Sequence, residues 1–250
     1  MNPPTGPVET PDIETASPGY ASRFAGPVGT YFLDLQTRSL LSLLDSFPPP
    51  GTLLDVGGGH AQVAPALAAQ GYTVTVLGSH ADCFRHHPEL ATCHTQVGDV
   101  VDLPFPDQTF DIVTSFRLLP HLTAWRRCLT ELCRVARRAV VVDYPSIRSV
   151  NACSRWLFPL KRRIEGNTRP WTLFHPREIA DAFSAEGFAL VGARAQFLLP
   201  MVLYRMAGSA RVARALEWLP HHLGLTRRWG SPIVICAARH PRLPGESTRA

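Results

Sequence analysis

The stretch that most constrains this chain is Leu53–Gly59, which reads Leu-Leu-Asp-Val-Gly-Gly-Gly. Apolar and β-favouring residues run into an acid and then three consecutive glycines. Beyond them Val63, Leu67 and Ala68 recur at helical spacing. That order predicts a strand, a tight turn and a helix. In a parallel sheet such a unit turns backbone N–H groups and a helix N-terminus toward a nucleotide-like ligand. Ahead of it, Pro48-Pro49-Pro50-Gly51 stops a helix predicted over Tyr31 to Phe47, so the first strand begins at Thr52.

The alternation continues. Tyr72 to Leu77, His94 to Val97 and Phe110 to Ser115 read as further short strands, and Ala139 to Tyr144 as an apolar central one. Helical spacing is expected over His80 to His87, Trp125 to Ala136, Arg177 to Glu186 and Arg205 to Leu219. Two late strands, Phe188 to Leu199 and Ser231 to Ala238, fit an antiparallel strand closing a mostly parallel sheet. The expected architecture is therefore α/β, with one domain over residues 19–240. Met1 to Pro18 is rich in Pro, Thr and acids and lacks the pattern of a signal peptide, so it reads as a disordered tail. Residues 241–250 read as a flexible tail.

Composition excludes several classes. No run approaches the ~18 apolar residues that span a bilayer. Six cysteines without a Cys-x-x-Cys pair predict reduced, packed thiols and a cytoplasmic protein. Cys83, His86, His87, Cys93 and His94 match no common zinc spacing, so no metal is expected. A net charge of +5 is too modest over 250 residues to mark a nucleic-acid binder.

The glycine loop itself separates two kinds of cofactor. A dinucleotide fingerprint needs Gly-x-Gly-x-x-Gly, and here Gln62 occupies the third-glycine slot. What remains is Asp55-x-Gly57-x-Gly59, an acid two residues before alternating glycines. Further on stand Gly98-Asp99-Val-Val-Asp-Leu103-Pro104-Phe105, then Phe110-Asp111-Ile-Val, then Leu132-Cys-Arg134-Val135 and the apolar fifth strand. In this order and spacing the chain resembles a class I S-adenosylmethionine-dependent methyltransferase of the small-molecule type. The resemblance implies a three-layer Rossmann-like sandwich with a seven-stranded sheet, S-adenosylmethionine as cofactor, and a small-molecule acceptor.

Carried over residue by residue, the resemblance makes Asp55, Gly57, Gly58 and Gly59 the cradle for the amino-acid end of the cofactor. It makes Asp99 and Val100 the adenine partners, and places Ser115 at the same edge of the sheet. The sequence departs from the pattern at the end of the second strand. There an acid usually binds the ribose hydroxyls, and Gly78 stands in its place, with Ser79, His80 or Asp82 as nearby substitutes. This departure keeps open an alternative, a non-catalytic class I fold serving as a binding or scaffold protein. His121, after the fourth strand, is the candidate base for a hydroxyl or carbon-acid acceptor, with Asp143, Tyr144 and His175 behind it. Arg117-Leu-Leu-Pro120 stands where a base-flipping Pro-Pro-Tyr motif would be, so no nucleic-acid partner is expected. Residues 145–175, with Ser154 to Arg163 aromatic and basic, read as a cap over the acceptor side. The later Trp218-Leu-Pro and Arg227-Arg228-Trp229 have the same mixture, and for both stretches a packed insertion with a solvated basic rim is favoured over a cap that touches an anionic membrane surface.

Overall fold

The computed structural model describes residues 9–58, 61–149, 171–206 and 208–240. The chain opens with two short helices, α1 (Pro11–Thr15) and α2 (Pro18–Ala21), and the long α3 (Gly26–Leu44). Then follow β1 (Thr52–Val56), α4 (Ala64–Ala69), β2 (Thr73–Gly78), β3 (His94–Val97) and β4 (Phe110–Ser115). After these come α5 (Trp125–Val135), β5 (Ala136–Tyr144), α6 (Pro176–Ala185) and β6 (Phe188–Ala195). Three helices, α7 (Met201–Met206), α8 (Ala210–His222) and α9 (Leu225–Trp229), lead into β7 (Ile233–Arg239).

The seven strands form one sheet in the order β3-β2-β1-β4-β5-β7-β6. All neighbouring pairs up to β4–β5 are parallel, and β7 runs antiparallel to both β5 and β6. Successive residues of a strand face opposite sides, and the two faces are both covered. Leu54, Val140 and Val142 join a core shared with α5 and α6, while Leu53, Ile112 and Val141 join one shared with α3 and α4. This is the expected three-layer α/β sandwich. The strand order reverses between β1 and β4, and it is outside the carboxyl ends of the strands at such a switch point that an open α/β sheet has its ligand crevice.

Several boundaries differ from the sequence reading. The helix expected from Tyr31 starts at Gly26, with Pro27 accommodated in its first turn, where an N–H is not needed. The His80–His87 helix shortens to a 3₁₀ turn over Ala81–Cys83. The helix expected over Arg205 to Leu219 is broken into α7 and α8, with Gly208 between them in the left-handed region at φ +64. The larger correction concerns the tail: residues 9–18, read as disordered, form α1 and enter α2 against the body of the fold. Asp12, Thr15 and Ala16 are buried, and the His87 ring meets the Ala16 carbonyl at 3.1 Å. Polar composition hid this because the segment is anchored by carboxylates rather than by an apolar stripe. Residues 1–8 and 241–250 lie outside the described residues. So do residues 150–170, most of the expected cap; its two ends meet where the Phe174 N–H donates to the Pro145 carbonyl at 3.0 Å.

The signature that carried the resemblance is largely scaffold. Arg134 of α5 donates to the carbonyls of Phe105 (2.7 Å) and Leu103 (2.9 Å) and pairs with Glu131. Glu131 in turn accepts from the Leu103 N–H at 2.8 Å. Phe105 meets Phe110 edge-on at 4.9 Å. Asp111 accepts from the Thr52 N–H and hydroxyl, fastening the start of β4 to the start of β1. These contacts hold the loop that begins at Asp99.

Candidate active site at the carboxyl edge of the sheet

Asp55 sits one residue before the end of β1, in register with Thr114 of β4. Its carboxyl is fully buried, and burial pushes its pKa up to about 7, with the Thr114 hydroxyl pulling the other way. That hydroxyl donates to Oδ1 at 2.8 Å. Oδ2 has no hydrogen-bond partner among the described residues. It faces the glycine turn: a Cβ on Gly58 would lie 2.0 Å from it, so a glycine is required there. Gly57 adopts φ +72 while its N–H donates to the Leu77 carbonyl at 2.8 Å, which pins the turn between β1 and β2. A buried carboxylate with one open oxygen, cradled by side-chain-free backbone, suits a compact cationic group such as an ammonium.

The other expected residues fall along the same edge. Asp99 is half-buried and accepts from the Val101 N–H at 2.9 Å, a turn that fixes the direction of its carboxylate. Val100 is buried beneath it in the α5–α6 core. Ser115 is fully buried, and its hydroxyl donates to the Val56 carbonyl at 3.0 Å, so that side chain ties β4 to β1. His121 ends a 3₁₀ turn after β4 and is half-buried. Asp143, at the end of β5, accepts from the Arg117 N–H at 2.6 Å; burial raises its pKa and the Arg117 charge opposes the rise. Tyr144 is buried, which pushes its pKa up to about 12. Gly59 lies outside the described residues.

At the end of β2 the fold supplies what the local sequence lacks. Gly78 cannot carry a longer side chain in this turn, because a Cβ would meet Cys83 Cβ and the Phe84 ring at 2.9 Å. The acid arrives instead from α1. Asp12 is fully buried, and its carboxylate accepts from the Ser79 N–H at 2.6 Å and the Ser79 hydroxyl at 2.5 Å. Three residues earlier in the same strap, Glu9 accepts from the Thr123 and Ala124 N–H groups at 2.6 and 2.8 Å. It thereby caps the N-terminus of α5, which has no side-chain cap of its own. The far end of the strap is held by Arg117, whose guanidinium lies 3.9 Å over the Phe24 ring and donates to Gln36 at 2.7 Å. Residues 9–24 thus reach both the β2 and the β4 ends of the crevice. Sequence reasoning missed Glu9, Asp12 and Arg117, and the vacancy at Gly78 was the only signal that an acid had to come from elsewhere.

Residues 54–142 match the family model described as a methyltransferase domain. That match spans β1 to β5, so this part of the chain is similar to a methyltransferase domain, and the strand order around it is that of an α/β sandwich. It is 34% identical over 109 residues to 2-methyl-6-phytyl-1,4-hydroquinone methyltransferase of Synechocystis, a match covering 40% of this chain and 34% of that protein. To the rice protein named "Probable tocopherol O-methyltransferase, chloroplastic" it is 29% identical over 150 residues, 56% of this chain and 38% of the other. The chain therefore spans about a third to two fifths of the length of these curated relatives. Among solved structures, magnesium protoporphyrin IX methyltransferase from Synechocystis PCC 6803 with bound SAH superposes with a TM-score of 0.61 at 13% identity. That match covers 89% of this chain and 93% of the other, and it establishes the fold.

Proposed function

We propose that this chain transfers a methyl group from S-adenosylmethionine to a small lipophilic acceptor. The observation that carries the reading is the buried Asp55 carboxylate, whose open oxygen faces a turn that admits no side chain. The cofactor supplies an activated methyl on a sulfonium sulfur. Asp55 and the Gly57–Gly58 backbone would hold its ammonium end, and Asp99 would accept from its adenine amino group. Asp12 would face the ribose hydroxyls in place of the acid absent at position 78. Positioning and exclusion of water suffice for much of such a displacement, so the strap and the crevice do most of the work. For an acceptor bearing a hydroxyl, His121 is the group we assign to take up its proton.

The acceptor class is supported by the names of the two matched relatives, a phytyl hydroquinone and a tocopherol methyltransferase. A cytosolic setting is supported by the five unpaired cysteines among the described residues.

Calorimetric titration with S-adenosylhomocysteine tests the cofactor assignment, with binding expected in the micromolar range. The absence of any binding heat refutes it. Asp12→Asn should weaken S-adenosylhomocysteine about tenfold while leaving the 2′-deoxy analogue unaffected. A tighter-binding variant would show instead that the strap obstructs the site. Labelled methyl transfer to a panel of prenylated hydroquinones and phenols tests the acceptor class. Turnover confined to water-soluble amines or carboxylates would overturn it.

A further inference from the structure

The helices between residues 201 and 229 carry apolar side chains that the fold leaves uncovered. On α8 and its C-cap, Val212, Leu216, Leu219 and Leu223 recur at intervals of four, three and four residues, which is one face of a helix. All four are exposed, Leu219 at 54% and Leu223 at 63%, whereas Ala213 and Glu217 on the opposite face are buried. Trp218 on the flank of α8 and Trp229 at the end of α9 are also exposed, at 60% and 45%. An apolar stripe of this period ordinarily faces a core; here it faces outward.

The stripe belongs to a rigid unit. The Glu217 carboxylate accepts from the Tyr204 hydroxyl on α7, from the Leu198 N–H at 2.6 Å and from the Thr226 hydroxyl on α9 at 2.9 Å. One buried acid therefore locks three helices together and makes their outer sides a single surface. Beneath it, Phe197 packs edge-on against Phe32 of α3 at 4.8 Å. The same core includes Phe24, at the end of the N-terminal strap.

The exposed charge carried by these helices themselves has one sign. Between residues 201 and 230 the sequence holds five arginines and one acid, and that acid is the buried Glu217. Arg211, Arg214, Arg227 and Arg228 are all exposed. Outward leucines, two tryptophans and a rim of arginines are the composition of a face that settles at the boundary between headgroups and acyl chains. Among the described residues no helix is long and apolar enough to cross a membrane. We propose that the outer face of α7–α9 docks on an anionic lipid bilayer and lies in its interface. A two-fold contact with a second copy would set arginines against arginines, and a nucleic acid would leave the leucines uncovered. Docking does not depend on the methyl-transfer reading, although it would bring the crevice beside the medium in which a lipophilic acceptor dissolves.

The test is co-sedimentation of the full chain with large unilamellar vesicles of phosphatidylcholine alone, and of phosphatidylcholine mixed with phosphatidylglycerol. The expected result is binding to the mixed vesicles with a blue shift of tryptophan emission, and about fivefold weaker partitioning for each arginine removed in Arg227→Ala/Arg228→Ala. Leu219→Asp should lower partitioning at least about tenfold with an unchanged melting temperature, since the side chain is half-exposed. Wild-type protein that ignores the anionic vesicles, or a Leu219→Asp variant that binds them as well as wild type, overturns the proposal. So does a vesicle-free dimer that Leu219→Asp converts to monomer, which would assign the face to self-association.

Discussion

Replacing Asp55 by Asn should make the ligand-free protein more stable at pH 8 and no more stable at pH 5. Burial moves this carboxyl from its ordinary 3.8 up to about 7. Each pKa unit is about 1.4 kcal/mol, so holding the charged form in the fold above pH 7 costs about 4 kcal/mol. The sign follows from proton counts. Between pH 4 and pH 7 the folded state keeps a proton that the unfolded chain has released, so wild-type stability falls as pH rises through that window and levels off above about 7. An amide carries no charge at any of these pH values, but its NH₂ would face Gly58 with no acceptor, at a cost of about 1–3 kcal/mol. The net gain at pH 8 is about 1–3 kcal/mol, or roughly 5 °C in a domain of this size. Scanning calorimetry of both proteins from pH 5 to pH 8.5 without ligand reads the difference directly. Parallel pH curves for the two would refute the reasoning, because they would mean that Asp55 is not held in a desolvated site. The same variant should lose at least about tenfold in S-adenosylhomocysteine affinity at pH 8, since the open oxygen that would meet the ammonium is replaced by a donor.

Three further outcomes follow from the geometry. Gly58→Ala should abolish S-adenosylhomocysteine binding in calorimetry, because its Cβ would sit 2.0 Å from the Asp55 carboxylate and the turn must move; unchanged affinity would show that the turn is not the cradle. Arg134→Ala frees the 103–107 loop, which Arg134 holds by two carbonyls and the Asp107 carboxylate, and breaks its pair with Glu131. It should lower stability by about 2 kcal/mol in urea unfolding, and should weaken cofactor binding through the Asp99 loop. Glu9→Gln removes the charged cap of α5 and should cost about 1 kcal/mol by the same assay, with amide exchange rising first at Thr123 and Ala124.

Local pattern carried far in this chain because each βα unit is built from short-range signals. The β1, β3 and β4 limits agree with the sequence reading, since Pro-Gly and Gly-Asp punctuation sits at their ends and β-branched residues fill them. The Asp55–Gly58 turn was likewise legible: its conformation depends on missing side chains, and glycines announce themselves. Ser115 was legible by position only. Its hydroxyl is used within the sheet, which depends on a neighbour 59 residues away.

By itself the sequence determined the α/β rhythm, the glycine turn after β1 and the motifs that carry the resemblance, since all three rest on residues close together in the chain. Tertiary structure decided the rest. It brought Asp12 across 67 residues to Ser79, where Gly78 leaves no acid. It laid Glu9 on the start of α5, and it turned the α8 stripe outward by seating Glu217 beneath it. Hydrogen bonds of that kind join groups whose separation in sequence bears no relation to their separation in space. A carboxylate in a polar tail and a leucine in a helix gain their meaning only from what the fold sets opposite them.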